Sequence, residues 1–205
     1  MSHFLTMIIG DDPEKQLAPF DENLDVPEYY SEDVSEKDKQ GMMAYYSNGS
    51  FPFSDFEECY KYYGQDWNGN SWKKCDDGIW RVSTTYNPNS KWDWYLLGGR
   101  WSGRILKLKP EATSGIIGEP SWCSKSKGID AARKGEIDLE AMKKKDISLV
   151  PYAYIKDGEW HSKGEMGWWG ISTNNKPQEE WDEHFWNMFN SLPDDTMIWL
   201  YDLHI

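Results

Sequence analysis

The sequence lacks the cysteine pattern of a disulfide-rich or zinc-binding protein. Its three cysteines, Cys59, Cys75 and Cys123, are widely spaced, odd in number and without a metal-type pair. The apolar stretch Phe4 to Ile9 is too short for a secretory signal and has no basic start. No apolar run approaches the roughly 20 residues of a membrane span. We therefore expect a soluble cytoplasmic protein with no membrane contact and no metal site.

Sequence motifs of catalysis are missing as well. The chain has no Gly-x-Ser-x-Gly elbow, no P-loop and no Gly-x-Gly-x-x-Gly fingerprint. Any cofactor therefore stays unidentified. These absences favour a binding protein over an enzyme, although they leave an unfamiliar enzyme open.

Positive charge is also in short supply. The chain has 22 basic against 35 acidic residues, a formal net charge of −13 and a pI of about 4.7. Such acidity repels phosphate backbones, so we expect no general nucleic-acid binding. Residues 1–40 hold eleven acidic residues and three lysines, whereas residues 72–109 hold eight basic and three acidic residues. This basic island either binds an anion or is neutralised by the acidic amino-terminal region.

Aromatic residues, in contrast, are abundant: 16% of the chain, including 13 tryptophans, so we expect a core built largely from rings. The run from Lys91 to Gly103 contains three tryptophans, a glycine pair and an arginine. A planar ligand can stack on Trp94 or Trp101 while Arg100 binds its phosphate or carboxylate beside Asp93. Alternatively, the rings belong to the core and Arg100 pairs with Asp93 or with an amino-terminal carboxylate.

A second Gly/Trp cluster lies at residues 164–170. Adjacent residues of a strand point to opposite faces, so Trp168 and Trp169 are both core only if both sheet faces are covered. Otherwise one indole faces a ligand or a partner. Glu165 can bond to an indole or to such a ligand.

The last apolar segment contains a carboxylate and an imidazole. Asp202 and His204 lie two residues apart and therefore share one face of a strand. If the first strand is its neighbour, Asp11, Asp12 or His3 can approach them. Mixed Asp/His clusters bind divalent metals or perform acid–base chemistry, but such residues at strand ends are also often structural.

The order of the patterns predicts an α+β fold in a single domain over residues 1–205, with a largely antiparallel sheet, a few packed helices and long irregular loops. The first and last strands are predicted as central neighbours. Pro151 predicts a sheet edge. The remaining expectations are an irregular acidic segment at 11–40, a helix at 54–64 capped by Ser54, an antiparallel meander at 78–109, a flexible loop at 110–127, helical structure at 130–145, and a helix and strand at 177–205.

Four segments resemble a family of uncharacterised proteins carried by bacteriophages and prophages. They are HFLTMIIGDDPEKQLAPFDEN, NPNSKWDWYLLGGRWSG, GEMGWWG and YDLHI. The resemblance spans nearly the whole chain, and WDWYLLGGRW is its most distinctive part. It implies a setting, an accessory gene acting in the cytoplasm of an infected bacterium, and assigns no catalytic residue.

Together these observations predict a binding protein that interferes with a host defence factor. In one version an acidic surface with exposed rings docks onto a basic host bacterial protein. In the other, the pocket around Arg100 sequesters a nucleotide-like signal. The alternative is a metal-dependent hydrolase that uses Asp202, His204 and an amino-terminal carboxylate.

Overall fold

The computed structural model describes residues 2–46, 53, 55–66, 69–124, 126–167 and 170–205. These residues form helices and mostly antiparallel sheets, which confirms the α+β class. The chain divides into two compact units, Met1–Leu24 with Pro88–Ile205 and Asp25–Asn87. The single domain over residues 1–205 stays a prediction.

The described strands are β1 (His3–Ile9), β2 (Tyr29–Asp33), β3 (Ser71–Lys74), β4 (Trp80–Thr84), β5 (Trp94–Gly99), β6 (Ile116–Ile117), β7 (Glu119–Pro120), β8 (Ile129–Arg133), β9 (Ala153–Lys156), β10 (Glu159–Ser162), β11 (Glu165–Met166), β12 (Ser172–Thr173) and β13 (Met197–His204). The described helices are α1 (Pro13–Leu17), α2 (Glu36–Tyr46), α3 (Phe56–Tyr63), α4 (Leu139–Lys144) and α5 (Gln178–Ser191).

The main sheet of the first unit is built around its first and last strands. Its order is β10-β9-β1-β13-β5-β7, and β8 pairs with β13 and β6. β1 and β13 are antiparallel over their whole length, from His3 opposite His204 to Ile9 opposite Ile198. The prediction that these two strands are central neighbours is confirmed.

Apolar side chains cover both faces of this sheet. On one face, Met7 and Leu200 belong to a buried cluster with Trp181, Phe185 and Phe189 of α5. The helix predicted at 177–192 is therefore confirmed, and its aromatic stripe faces the sheet. On the other face, a second cluster forms along the same strands. It includes residues of β1, β13 and α1, together with Trp92 just before β5: Phe4, Ile8, Leu17, Trp92 and Leu203.

The second unit is a three-stranded sheet, β2-β4-β3, with α2 and α3. The prediction of an irregular segment over 11–40 is wrong here, because this range contains β2 and the start of α2. The side chains of β2 are mostly exposed, so the strand shows no apolar alternation and is defined by its pairing with β4. α2 begins at a capping box, in which Ser35 and Asp38 each accept a hydrogen bond from the backbone N–H of the other.

The helix predicted at 54–64 is confirmed as α3. Its described cap is Asp55, whose carboxylate accepts a 2.9 Å bond from the backbone N–H of Glu58, whereas Ser54 lies outside the described residues. Gly64 ends the helix with φ +72°, as predicted.

The meander predicted at 78–109 is wrong. β4 pairs with β2 and β3 of the second unit, whereas β5 pairs with β13 and β7 of the first. Residues 101–105 form turns, since the glycines before and within them take left-handed conformations, with φ +81° at Gly98, +51° at Gly99 and +68° at Gly103. Residues 106–109 form no strand and make a single β-bridge, from Leu108 to Ile137.

Three local predictions also need correction. Residues 129–133 form β8 rather than a helix, because Ala131 and Ala132 are buried between neighbouring strands. The predicted helical structure is confirmed only further along, as a 3-10 helix at Lys134–Glu136 and as α4 from Leu139. Pro151 does not mark an edge, since β9 has β1 and β10 on its two sides. The loop at 110–127 contains β6 and β7 and is otherwise irregular among its described residues.

Two buried carboxylates fix the chain after β5. Asp202 accepts a 2.8 Å bond from the backbone N–H of Arg100, and Asp130 accepts bonds from the backbone N–H of Gly103 at 2.8 Å and the hydroxyl of Ser102 at 2.6 Å. Both aspartates are 0% exposed. Burial raises the pKa of Asp130, and these donors oppose that rise. Buried acceptors without such donors would carry a large desolvation cost.

We expect Gly99→Ala to lower the free energy of unfolding by about 2–4 kcal/mol, since it combines left-handed strain with overpacking. A Cβ at this position would lie 2.2 Å from the Cβ of Asp202. Urea denaturation measures the effect. The control is Gly158→Ala, where φ is +79° and no atom lies within 4 Å, so that only the backbone strain of about 1–2 kcal/mol applies. Equal losses in both variants would contradict the role of the Asp202 contact.

Candidate functional site

The residues of the Trp-rich segment are spread over different surroundings. Trp94 is 44% exposed, and Trp101 is half-buried against the cluster that α5 covers. Asp93 bonds to His204 rather than to Arg100. The Nε of Arg100 is buried and has no hydrogen-bond partner among the described residues. Neither tryptophan nor Arg100 lines any of the four cavities described for the chain, so these cavities give no support to a pocket around Arg100.

The second Gly/Trp cluster is described only in part. Trp168 and Trp169 lie outside the described residues. Glu165, on β11, lines a small cavity of about 90 Å³ together with Lys91 and Tyr152. This volume suits a few water molecules rather than a nucleotide.

The predicted carboxylate–imidazole set does assemble, with His3 as its third member. The register of β1 on β13 places His3 opposite His204. The Nδ1 of His3 lies 2.8 Å from Asp202, and the Nδ1 of His204 lies 2.5 Å from Asp93. The two ring centroids are 4.9 Å apart. Asp93, placed in the sequence as a ligand residue beside Arg100, thus belongs to this cluster.

The predicted approach of Asp11 or Asp12 to Asp202 is wrong. β1 and β13 are antiparallel, and Ile9 pairs with Ile198 at the far end of the register. Asp11 and Asp12 follow Ile9, so they lie at the opposite end of the strand pair from Asp202 and His204. The amino-terminal partner of Asp202 is therefore an imidazole rather than a carboxylate.

The two His–Asp pairs suit proton transfer. A carboxylate on Nδ1 fixes the tautomer and leaves Nε2 as the exchanging nitrogen. The side chains of His3 and His204 are 11% and 13% exposed, so solvent reaches them only partly. Among the described residues, no three His, Cys, Asp or Glu side chains are grouped so that they could hold a metal ion.

The largest of the four described cavities is a groove of about 810 Å³ on the opposite face of the sheet. We call it the aromatic groove. Its floor comes from alternate residues of two neighbouring strands, Tyr95 and Leu97 on β5 and Trp199 and Tyr201 on β13. One wall is residues 12–15 at the start of α1, and the other is residues 117–119 between β6 and β7, with Leu96 also in the lining.

Negative charge surrounds this floor. The walls carry the carboxylates of Asp12, Glu14 and Glu119 and one cation, Lys15, and none of these four forms an ion pair within the described part of the chain. Burial, followed by the charge of Glu14, raises the pKa of Tyr201 to about 12. Three carboxylates against one lysine give the groove a negative potential, which favours a cationic occupant.

Sequence reasoning missed the aromatic groove, although part of its signal is present. Tyr95 and Leu97, like Trp199 and Tyr201, are spaced two apart and therefore share a face. What the sequence does not show is that α1 and β7 stand beside that face. The basic island around Arg100 in an acidic chain predicts an anion-binding site, whereas the groove is acidic.

We expect Glu14→Gln to lower the pKa of Tyr201 from about 12, while burial keeps it above the ordinary value of 10. Phenolate absorbance during an alkaline titration, with Tyr201→Phe as the subtraction, measures the change. Glu179→Gln on α5, away from the groove lining, is the control. An unchanged pKa of Tyr201 in Glu14→Gln would show that the charge of Glu14 has no effect on the tyrosine of the groove floor.

The same shift makes stability fall at high pH. The unfolded chain releases the Tyr201 proton near pH 10, whereas the folded chain releases it only near pH 12. Between these pH values, ionisation stabilises the unfolded state relative to the folded state, and the free energy of unfolding falls. The resulting loss in the free energy of unfolding between these pH values is at most about 3 kcal/mol. Chemical denaturation should show a flatter alkaline decline for Tyr201→Phe than for the wild type.

Comparisons with known proteins identify no relative. No family model, no curated protein and no solved structure matches the chain. Within the described residues, no helix has both the length and the apolarity to cross a bilayer. The case for function therefore depends on the geometry of the aromatic groove and of the paired histidines.

Proposed function

We propose that this chain is a binding protein whose aromatic groove takes a positively charged segment of a partner protein. One observation carries the proposal: a floor of two tyrosines and a tryptophan lies between walls that hold three carboxylates and one lysine. Lysine and arginine side chains are attracted to aromatic faces and to carboxylates, and desolvation strengthens both interactions. The groove thus offers a basic segment two kinds of contact at once.

The size and the charge of the molecule agree with such a partner. A volume of about 810 Å³ falls within the range of roughly 300–1,000 Å³ that is usual for binding sites. The net charge of −13 attracts a basic partner over a distance, which speeds encounter at low salt. A phosphate, in contrast, would be repelled by Asp12, Glu14 and Glu119.

For the biological setting we propose an accessory protein of a bacteriophage or prophage, acting in the cytoplasm of an infected bacterium against a host defence factor. The sequence resemblance is the basis for this setting. Of the two expected modes, the groove favours docking onto a basic host protein. The sequestration of a nucleotide-like signal around Arg100 has less support, because that residue lines none of the described cavities.

We expect the double variant Glu14→Lys/Glu119→Lys to bind a fluorescein-labelled decapeptide of alternating lysine and valine at least about tenfold more weakly than the wild type, because two attractive charges become repulsive. Fluorescence anisotropy measures the affinity. The control is Glu179→Lys/Glu180→Lys at the start of α5, which changes the net charge equally away from the groove. Equal losses in both variants would mean that the peptide binds by net charge alone, and the proposal would be wrong.

The paired histidines support a second candidate, a hydrolase. His3 and His204 are each oriented by a carboxylate, and their rings lie side by side. One imidazole can act as a base toward water while the other protonates the leaving group. The expected hydrolase alternative is thus better supported as histidine acid–base chemistry than as metal chemistry, since the described cluster pairs each imidazole with a single carboxylate.

If this second candidate is correct, the wild type hydrolyses at least one member of a panel of nitrophenyl esters and phosphodiesters. His3→Asn and His204→Asn should each lower that rate by about 100-fold or more. His161→Asn, on β10 and outside the cluster, is the control. Absence of turnover by the wild type, or equal rates in all variants, would rule the hydrolase out.

A further inference from the structure

Within the part of the chain that the structure describes, the edge of β5 beside the aromatic groove is unpaired between two paired stretches. Before the strand, the backbone of Trp92 forms a bridge with Asp21. The backbone N–H of Asp93 points to the opposite side and donates a 3.0 Å hydrogen bond to the carbonyl of His204 on β13. At the end of the strand, Gly98 and Gly99 pair with β7. Between them, residues 94–97 have β13 on one side and no described strand on the other.

This gap has the dimensions of a short added strand. Four residues of β-strand span about 13 Å. A strand that is paired on one side only leaves the N–H and C=O of every second residue facing the open side. The flanking partners, a single bridge at Asp21 and the two-residue β7, limit the opening at both ends.

The aromatic groove runs along the same edge. Its lining includes Tyr95, Leu96 and Leu97 of β5 and Gly118 and Glu119 at β7. An extended chain in the groove therefore has the open backbone of β5 beside it. Because side chains alternate along a strand, half of the side chains of an added strand would lie on the sheet face that carries the aromatic floor, beside Tyr95 and Leu97.

We infer that the partner segment binds as an added β-strand: an extended basic peptide that hydrogen-bonds to the open edge of β5 between Asp21 and Glu119. This inference rests on the proposed function and specifies its mode. Backbone bonds supply affinity and the alternating side chains supply selectivity, as in other cases of strand addition.

The occupant is a basic peptide rather than a second copy of the chain. Open strand edges also pair with one another. Here each copy carries a net charge of −13, and the carboxylates of Asp12, Glu14 and Glu119 stand at the opening. Two such edges repel each other, whereas lysine and arginine side chains are attracted to them.

Backbone N-methylation of the peptide tests the mode of binding. The probes are the alternating lysine–valine decapeptide and two derivatives, one N-methylated at every lysine and the other at every valine. In a strand, the N–H groups of alternate residues face the same neighbour. We expect one derivative to lose at least about tenfold in affinity and the other to bind nearly as well as the parent.

Amide hydrogen exchange gives the readout on the protein. On addition of the parent peptide, we expect two of the four amides at residues 94–97 to exchange at least about tenfold more slowly. The amides of β10, the edge strand at the other side of the same sheet, are the control and should not change.

The outcomes separate this inference from the proposed function. Binding of the parent peptide, with equal affinities for both methylated forms and unchanged exchange at 94–97, overturns strand addition and leaves the groove as a basic-segment site. No binding of the parent peptide overturns both. Protection at 94–97 that rises with protein concentration alone, together with dimers in light scattering, identifies a second copy as the occupant and also overturns the inference.

Discussion

The pairing of β1 with β13 is the interaction on which the first unit depends. Seven consecutive residue pairs join the two ends of the chain, and each face of the pair enters a different buried cluster. The other edge of β1 then pairs with β9, and the other edge of β13 pairs with β5 and β8. Because the register is specified by burial on both faces, a slip of one residue would invert every side chain. The same register sets the His3–His204 contact and half of the floor of the aromatic groove.

Asp202 connects this strand pair to the glycine turn. One carboxylate oxygen faces His3, and the other accepts the backbone N–H of Arg100. Arg100 is thus engaged through its backbone, and the two glycines before it are required because an added Cβ would meet Asp130 at Gly98 and Asp202 at Gly99. This buried hydrogen-bond network accounts for the glycine pair of the Gly-Gly-Arg-Trp motif and involves only the backbone of its arginine.

Elements with strong periodicity could be predicted from the sequence. The aromatic stripe of α5 and the apolar runs of β1 and β13 specify their own structure, because burial reinforces local propensity. β8 and β2 could not be predicted from the sequence. Ala131 and Ala132 of β8 adopt a strand only because neighbouring strands bury them, and β2 exposes most of its side chains. For the site, the sharing of a face by Asp202 and His204 followed from spacing. The aromatic groove could not be predicted from spacing, because it depends on where α1 and β7 lie relative to the sheet.

Residues 25–87 are an excursion from the first unit. The chain leaves it after Leu24 and returns at Pro88, and at that point the bridge between Asp21 and Trp92 already holds the departing and returning segments side by side. Such a junction places little constraint on what is inserted there. The excursion therefore leaves the main sheet, the paired histidines and the aromatic groove entirely within the first unit.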